Sequence, residues 1–285
     1  MAAHNQTHNQ VLHPHTLAEL FSFWNRIPDA APFAGGTELI LKGIDPGGAR
    51  GVFREQPELL REILSLEQID ELQAITRTER YLEIGAMVRL NDIIALGKIV
   101  PQAFFKTLKG IANPRVRNLA TIGGNICSSG DTLAPLCALD AVYELRSAAG
   151  SRWIPALRFS STPGVLQKGE LLARIRIPLD EWNYTVYRKF NAFDSEGEGG
   201  VLILVVRNQK NILAKIQMIF TGAALLRNKD SESFLEGKAL PLDARDIVHY
   251  RKFWGNYLES EKKPGPILRD KIINAIEIGI AGLSD

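Results

Sequence analysis

Two glycine pairs, each close to a threonine, are the places where this sequence can do chemistry. They are Ala34-Gly35-Gly36-Thr37-Glu38-Leu39-Ile40 and Leu119-Ala120-Thr121-Ile122-Gly123-Gly124-Asn125-Ile126. A pyrophosphate needs several N–H donors converging on its oxygens with no Cβ in the way, and glycine permits that approach. The hydroxyls of Thr37 and Thr121 can add donors. An ordinary β-turn accounts for either pair alone, since Gly-Gly is common in turns. Two such pairs together point instead to a phosphate-bearing ligand.

Other candidates lie nearby. Asp131 follows the second pair and can either accept from the hydroxyls of a polyhydroxyl chain of such a ligand or cap the helix suggested by TLAPLCAL. Lys189 and Tyr187 sit in an aromatic-rich stretch. There the lysine can set a positive charge beside a bound ring system and the tyrosine can stack on that ring; exposed strand residues would fit as well. Cys127 reads as a small buried filler, because no second cysteine is close enough for C-x-x-C. No P-loop, G-x-G-x-x-G, H-E-x-x-H or G-x-S-x-G pattern is present, so other nucleotide folds, metalloproteases and hydrolases have no motif here.

The elements that must position these residues follow from periodicity and punctuation. TLAELFSFW predicts an amphipathic helix with Thr16 as N-cap, and the chain breaks at Pro28. Gly43 to Gly51 reads as a loop. ELQAI and RYLEIGA alternate around a polar TRTER, which predicts a β-hairpin, and Asn91 stands where an N-cap belongs before DIIALG. PQAFFKTLKGIA predicts a helix with Pro101 in its first turn, leading into NPRVRN. ELLARIRIP, Glu170 to Pro178, predicts a strand that ends at its proline. VLILVVR and AKIQMIFTGAALL predict two strands of a sheet, and DKIINAIEIGIAGL a closing helix. Composition changes after Pro178, which places a domain boundary near residue 180.

With 285 residues there is room for two modest domains or one large one. Hydrophobic residues at 45% and charged residues at 23% are ordinary for a globular protein. A net charge of +2 with no basic stripe gives no case for nucleic acid. No apolar run is long enough to span a bilayer, and MAAHNQTHNQ lacks the basic and apolar regions of a secretory signal, so a cytoplasmic location is expected. Two cysteines are too few for a four-thiolate metal site or a disulfide framework. His4, His8, His13 and His15, all within the first fifteen residues, can be read as metal ligands or as belonging to a flexible polar start of the chain; nothing around them fixes ligand geometry, and residues 1–10 are expected to form a flexible leader.

Taken in order, PFAGGTELILKG, RYLEIGAMVRLNDI, NPRVRNLATIGGNI, LCALDA, GELLARIRIP and YRKF resemble the flavin subunit of the molybdenum hydroxylases, the xanthine dehydrogenase and carbon monoxide dehydrogenase type. The resemblance spans about residues 11 to 250. It implies an α+β fold of two subdomains clasping FAD, of the vanillyl-alcohol oxidase type, over residues 11–180 (subdomains about 11–65 and 66–180). A C-terminal α+β domain would follow over 181–285. It implies a first FAD loop of Phe33, Ala34, Gly35, Gly36, Thr37, Glu38 and Leu39. A second would comprise Ala120, Thr121, Gly123, Gly124 and Asn125, followed by Ser128 and Asp131. Ile111 and Leu172 would be apolar contacts near the flavin, and Lys189 the lysine near its ring.

The implied activity is electron relay, with no catalytic or metal-ligating residue in this chain. A large subunit would carry the molybdenum cofactor and a small subunit the [2Fe–2S] clusters. FAD would accept electrons singly and pass them on in pairs to NAD, oxygen or another acceptor. The chain departs from the family's pattern in three places. Asn125 to Asp131 is short, Asn191-Ala192-Phe193 replaces the usual Arg after Lys189, and KPGPILRDKI stands where S-x-x-Y-R is usual. A self-standing FAD oxidoreductase of this fold, and a flavin-free structural subunit, are the alternatives.

Overall fold

The structure, a computed structural model, describes residues 10–39, 62–192 and 198–284. His4, His8, most of the leader, Ile40, the Gly43–Gly51 loop and Phe193 lie outside the described residues.

The first layer is a parallel sheet of very short strands, β1 (Gln10–Leu12), β2 (Ala31–Phe33) and β3 (Glu62–Ser65), in the order β1-β3-β2. Helix α1 (Leu17–Arg26) starts where expected. Thr16 caps it by accepting from the Glu19 N–H at 3.1 Å, and its apolar face, Leu17, Leu20 and Phe21, is buried.

An antiparallel five-stranded sheet forms the second layer, ordered β4-β5-β8-β6-β7. The hairpin of β4 (Ile75–Arg77) and β5 (Tyr81–Gly85) is the one the alternation predicts. Strands β6 (Val142–Ser147) and β7 (Gly150–Pro155) form a second hairpin, which the sequence reading did not anticipate. Strand β8 (Leu171–Pro178) ends at its proline. Between β5 and β6 the chain is helical: α2 (Leu90–Ala95), α3 (Gln102–Gly110), α4 (Pro114–Arg117), α5 (Ile122–Cys127) and α6 (Leu133–Ala138). A short helix, α7 (Ala156–Ser161), follows β7.

The third sheet is an antiparallel meander of β9 (Tyr184–Phe190), β10 (Gly200–Gln209) and β11 (Ile212–Gly222), with helices α8 (Lys229–Leu235), α9 (Ala244–Ser260) and α10 (Pro266–Ala281) after it. Alternation explains why VLILVVR is apolar throughout. Val201, Ile203 and Val205 join the core beneath the second sheet, whereas Leu202, Leu204 and Val206 face a separate core with Tyr250, Trp254 and Ile272 from α9 and α10. The third sheet is thus a shared wall between two cores.

Asp140, at φ 53° after α6, ties that wall down by accepting from Lys215 Nζ at 2.8 Å and Gln217 Nε2 at 2.6 Å. Burial pushes its carboxyl up, but the hydrogen bonds and charge of Lys215, with Gln217 and Arg227, outweigh burial and hold it below the usual range.

Three expectations are corrected by local geometry. Asn91 does not cap α2; it lies inside the helix, and its side chain reaches α4 instead. Pro101 is the N-cap of α3 rather than its first helical residue. The second glycine pair is not a turn but the first turn of α5, capped by Thr121.

Candidate cofactor site

The first glycine loop leaves β2 at Phe33, whose carbonyl accepts from Leu66 N–H at 2.9 Å. Gly35 crosses the second loop so closely that a Cβ would stand 2.0 Å from the Leu119 carbonyl oxygen. Gly36 has φ 67°, in the left-handed region, and a Cβ there would meet the Phe33 ring at 2.6 Å. Phe33 therefore supports the loop from behind. The chain turns helical at residues 37–39. No described residue accepts from the N–H of Gly35, Gly36 or Thr37, so three donors remain for a ligand.

The second loop is built from helix caps. Asn113 caps α4 by accepting from Val116 N–H at 3.1 Å, and the Thr121 hydroxyl caps α5 by accepting from Gly124 N–H at 3.1 Å. The two glycines then divide the work. Gly123 donates its N–H to the Ala86 carbonyl at 2.8 Å, and a Cβ on it would lie 2.7 Å from Ala86 Cβ. It turns away from the first loop and lets α5 press on the end of β5. Gly124 faces the other way: a Cβ there would lie 3.0 Å from Thr121 Oγ1 and 3.9 Å from Ala34 Cβ, in the gap between the loops.

That gap is a cavity of about 300 Å³. Of the residues expected at the site, it brings together Ala34, Gly35, Gly36, Thr37, Glu38, Leu39, Ala120, Thr121, Gly124, Asn125 and Ser128. Cys127, expected to be buried, is exposed on this wall; the buried thiol is Cys137, 3.7 Å from the Ser160 hydroxyl. Phe33 and Gly123 stand behind the wall, and Ile111 and Leu172 are buried in the largest core.

Asp131 and Lys189 line a second cavity of about 260 Å³, together with Ser129, Gly130 and Thr221. Asp131 caps no helix: α6 has Thr132 at its N-cap, and the Asp131 carboxylate takes Lys189 Nζ at 2.6 Å. The loop between the cavities is held by Asn125, whose Oδ1 accepts from both the hydroxyl (2.7 Å) and the N–H (3.2 Å) of Thr132. Ser128 donates to the Gly124 carbonyl at 2.8 Å. Ser128 thus lies on one cavity and Ser129 on the other.

Tyr187 lines neither of these two cavities. Its hydroxyl is buried without a partner against Gly110, where a Cβ would stand 2.0 Å from it. Burial, and then the charge of Asp131, push that phenol up to about 12. Sequence reasoning passed over Gly110 and Arg117, which shape this end. The signal was Gly110 closing one helix shortly before Asn113-Pro114 opens the next, with Arg117 one turn on; the left-handed angle of Ala112 between them has no sequence signal. Among the described residues no group of His, Cys, Asp or Glu can hold a metal ion, and no helix is long and apolar enough to cross a membrane.

Comparison with known proteins agrees with this geometry. Residues 6–180 match the family model described as FAD binding domain in molybdopterin dehydrogenase. The chain is 28% identical over 248 residues to the glyceraldehyde dehydrogenase medium chain of Sulfolobus acidocaldarius, covering 82% of this chain and 83% of that one. It is 29% identical over 171 residues to the xanthine dehydrogenase FAD-binding subunit of Escherichia coli O157:H7, covering 57% of this chain and 55% of that subunit, about half its length. Quinoline 2-oxidoreductase from Pseudomonas putida 86 superposes with a TM-score of 0.77, covering 96% of this chain and 95% of the other, at 20% identity. At that identity the likeness is one of fold.

Proposed function

Because the chain belongs to the family of FAD binding domains in molybdopterin dehydrogenases, we propose that it is the flavin subunit of a molybdenum hydroxylase complex. In this reading it relays electrons from the [2Fe–2S] clusters of a small subunit to NAD or another acceptor. A large subunit carries the molybdenum cofactor and the organic substrate. The complex works in the cytoplasm. Residues 11–180 form the FAD-binding domain and 181–285 the C-terminal one.

The observation that carries the reading is the gap between the two glycine loops. Three unclaimed N–H donors, two threonine hydroxyls and a Gly124 that leaves the space open suit a pyrophosphate. Cofactor sites usually measure about 300–1,000 Å³, so FAD would draw on both cavities. We assign the pyrophosphate to Gly35, Gly36, Thr37, Thr121 and Gly124, and the ribityl chain and ring to Asp131 and Lys189. Bound FAD supplies the electron-carrying chemistry, and the chain supplies orientation and charge. Lys189 places a cation at the ring end, and Asp131 keeps that cation in place.

The test is reconstitution of the purified chain with FAD. One FAD should bind per chain and be released into the supernatant by acid: among the described residues no His lines either cavity, and the one Cys that does, Cys127, lies at the pyrophosphate end assigned above rather than at the ring end. Flavin that stays with the precipitate would contradict noncovalent binding; no flavin after reconstitution would remove the reading.

A further inference from the structure

We propose that Arg117 is a positioning residue for the Lys189–Asp131 pair, acting through the turn that joins α3 to α4. The guanidinium lies under that turn. Its Nη1 donates to the carbonyls of Ile111 at 2.7 Å and of Lys109 and Ala112 at 3.4 Å, and its Nε donates to Asn91 Oδ1 at 3.1 Å. Asn91 is fixed in turn, with Nδ2 donating to the Pro114 carbonyl at 3.1 Å and to the Asn118 side chain. Each of these acceptors is a neutral oxygen, and no acid among the described residues pairs with Arg117. What a forked, rigid donor does there is gather carbonyls.

The turn needs such gathering. Ala112 sits at φ 41°, where a residue with a Cβ persists only if its surroundings impose it. The imposed shape lays Gly110 flat against the Tyr187 phenol and turns its carbonyl toward β9, where it accepts from Lys189 Nζ at 3.1 Å. The same ammonium reaches Asp131 at 2.6 Å. Lys189 is therefore held between a carboxylate and a carbonyl whose direction Arg117 sets. A second tie between α3 and β9, Lys106 Nζ to the Thr185 carbonyl at 3.2 Å, lies on the helix rather than the turn and serves as a control. That this positioning serves the flavin ring rests on the function proposed above.

The experiment measures acetylation of individual lysines in the full-length chain by acetic anhydride, read by peptide mass spectrometry. In Arg117→Gln, Lys189 should react about fivefold faster, the factor corresponding to one hydrogen bond of ordinary strength, while Lys106 and Lys215 keep their rates. Asn91→Ala should move Lys189 the same way and less, and Arg117→Lys, one donor group in place of a fork, should restore part of the protection. A fall in melting temperature with Lys189 unchanged would overturn the proposal, as would an equal rise at all three lysines. A second arm compares midpoint potentials of the FAD-loaded chain. Lys189→Gln and the double variant should lower the potential equally, and Arg117→Gln alone by less, since Lys189 there keeps its charge and its bond to Asp131; faster Lys189 labelling with an unchanged potential would overturn the link between the pair and the ring. If the chain bound no FAD, the flavin reading would fail and the labelling would still decide the clamp.

Discussion

The two glycine pairs are the same dipeptide used in opposite ways. Gly35 and Gly36 form an open loop, one glycine letting two backbones cross and the other taking a left-handed angle. Gly123 and Gly124 start a helix, where glycine costs about 1 kcal/mol relative to alanine and gains nothing by propensity. They are there because of what lies on each side: Ala86 against Gly123 and the cavity against Gly124. A missing side chain can thus mean close packing or reserved space, and only the surroundings distinguish them.

The largest effect is expected at Gly35. Gly35→Ala sets a Cβ 2.0 Å from the Leu119 carbonyl oxygen, a backbone atom that cannot swing aside. Separating the two loops should cost about 3 kcal/mol, at the top of the range for overpacking. Chemical denaturation should show it, with FAD binding lost as well. A variant as stable as wild type would mean that the loops do not cross so closely.

The helix pair gives the sharper contrast. Gly123→Ala presses on Ala86 Cβ and its carbonyl, so it should lose about 1–3 kcal/mol of stability while the folded fraction binds FAD normally. Gly124→Ala should do the reverse. Its only tight neighbour is the Thr121 hydroxyl, which can give, and alanine favours the helix, so stability should change by less than about 1 kcal/mol. FAD affinity should fall about tenfold or more as the Cβ displaces phosphate hydrogen bonds. If both variants lose stability equally and affinity not at all, the second pair has no bearing on the ligand.

The same distinction marks what could be read in the sequence. Features set by neighbours in the chain were legible: Thr16 as a cap, the β4–β5 hairpin, and β8 ending at Pro178. The glycine loops were legible as a pair because the residue types and order carry the family's pattern. Features set by distant contacts were not. Gly123 faces Ala86, and the Asn91 side chain finds Arg117, although nothing local links them. Strands of three residues, such as β1 and β2, are too short to show a period. Helix α9 is a different case. Tyr250, Trp254 and Leu258, buried at four-residue spacing, were a signal that the alternation-based reading passed over.

The smallest effect is expected at the joint between the third sheet and the α6 corner, which uses charge where the glycine contacts use missing atoms. Steric contacts carry no pH dependence, whereas Asp140 does. Its carboxyl is held below the usual range by Lys215, Gln217 and Arg227 against the cost of burial. A lowered folded-state value means the contribution is present above the unfolded carboxylate range, near pH 4, and is lost as pH falls through the folded value. The Asp140 side chain is 49% exposed, so screening keeps the contribution under about 1 kcal/mol. Asp140→Asn retains an acceptor for Lys215 and Gln217 and removes the charge. At pH 7 the variant should melt slightly below wild type, and the two curves should converge toward pH 3. Other carboxylates held low, such as Glu83 and Glu170, titrate in both proteins and drop out of the difference. A gap that stays constant with pH would show that the joint depends on shape, as the glycine contacts do, and not on the charge of Asp140.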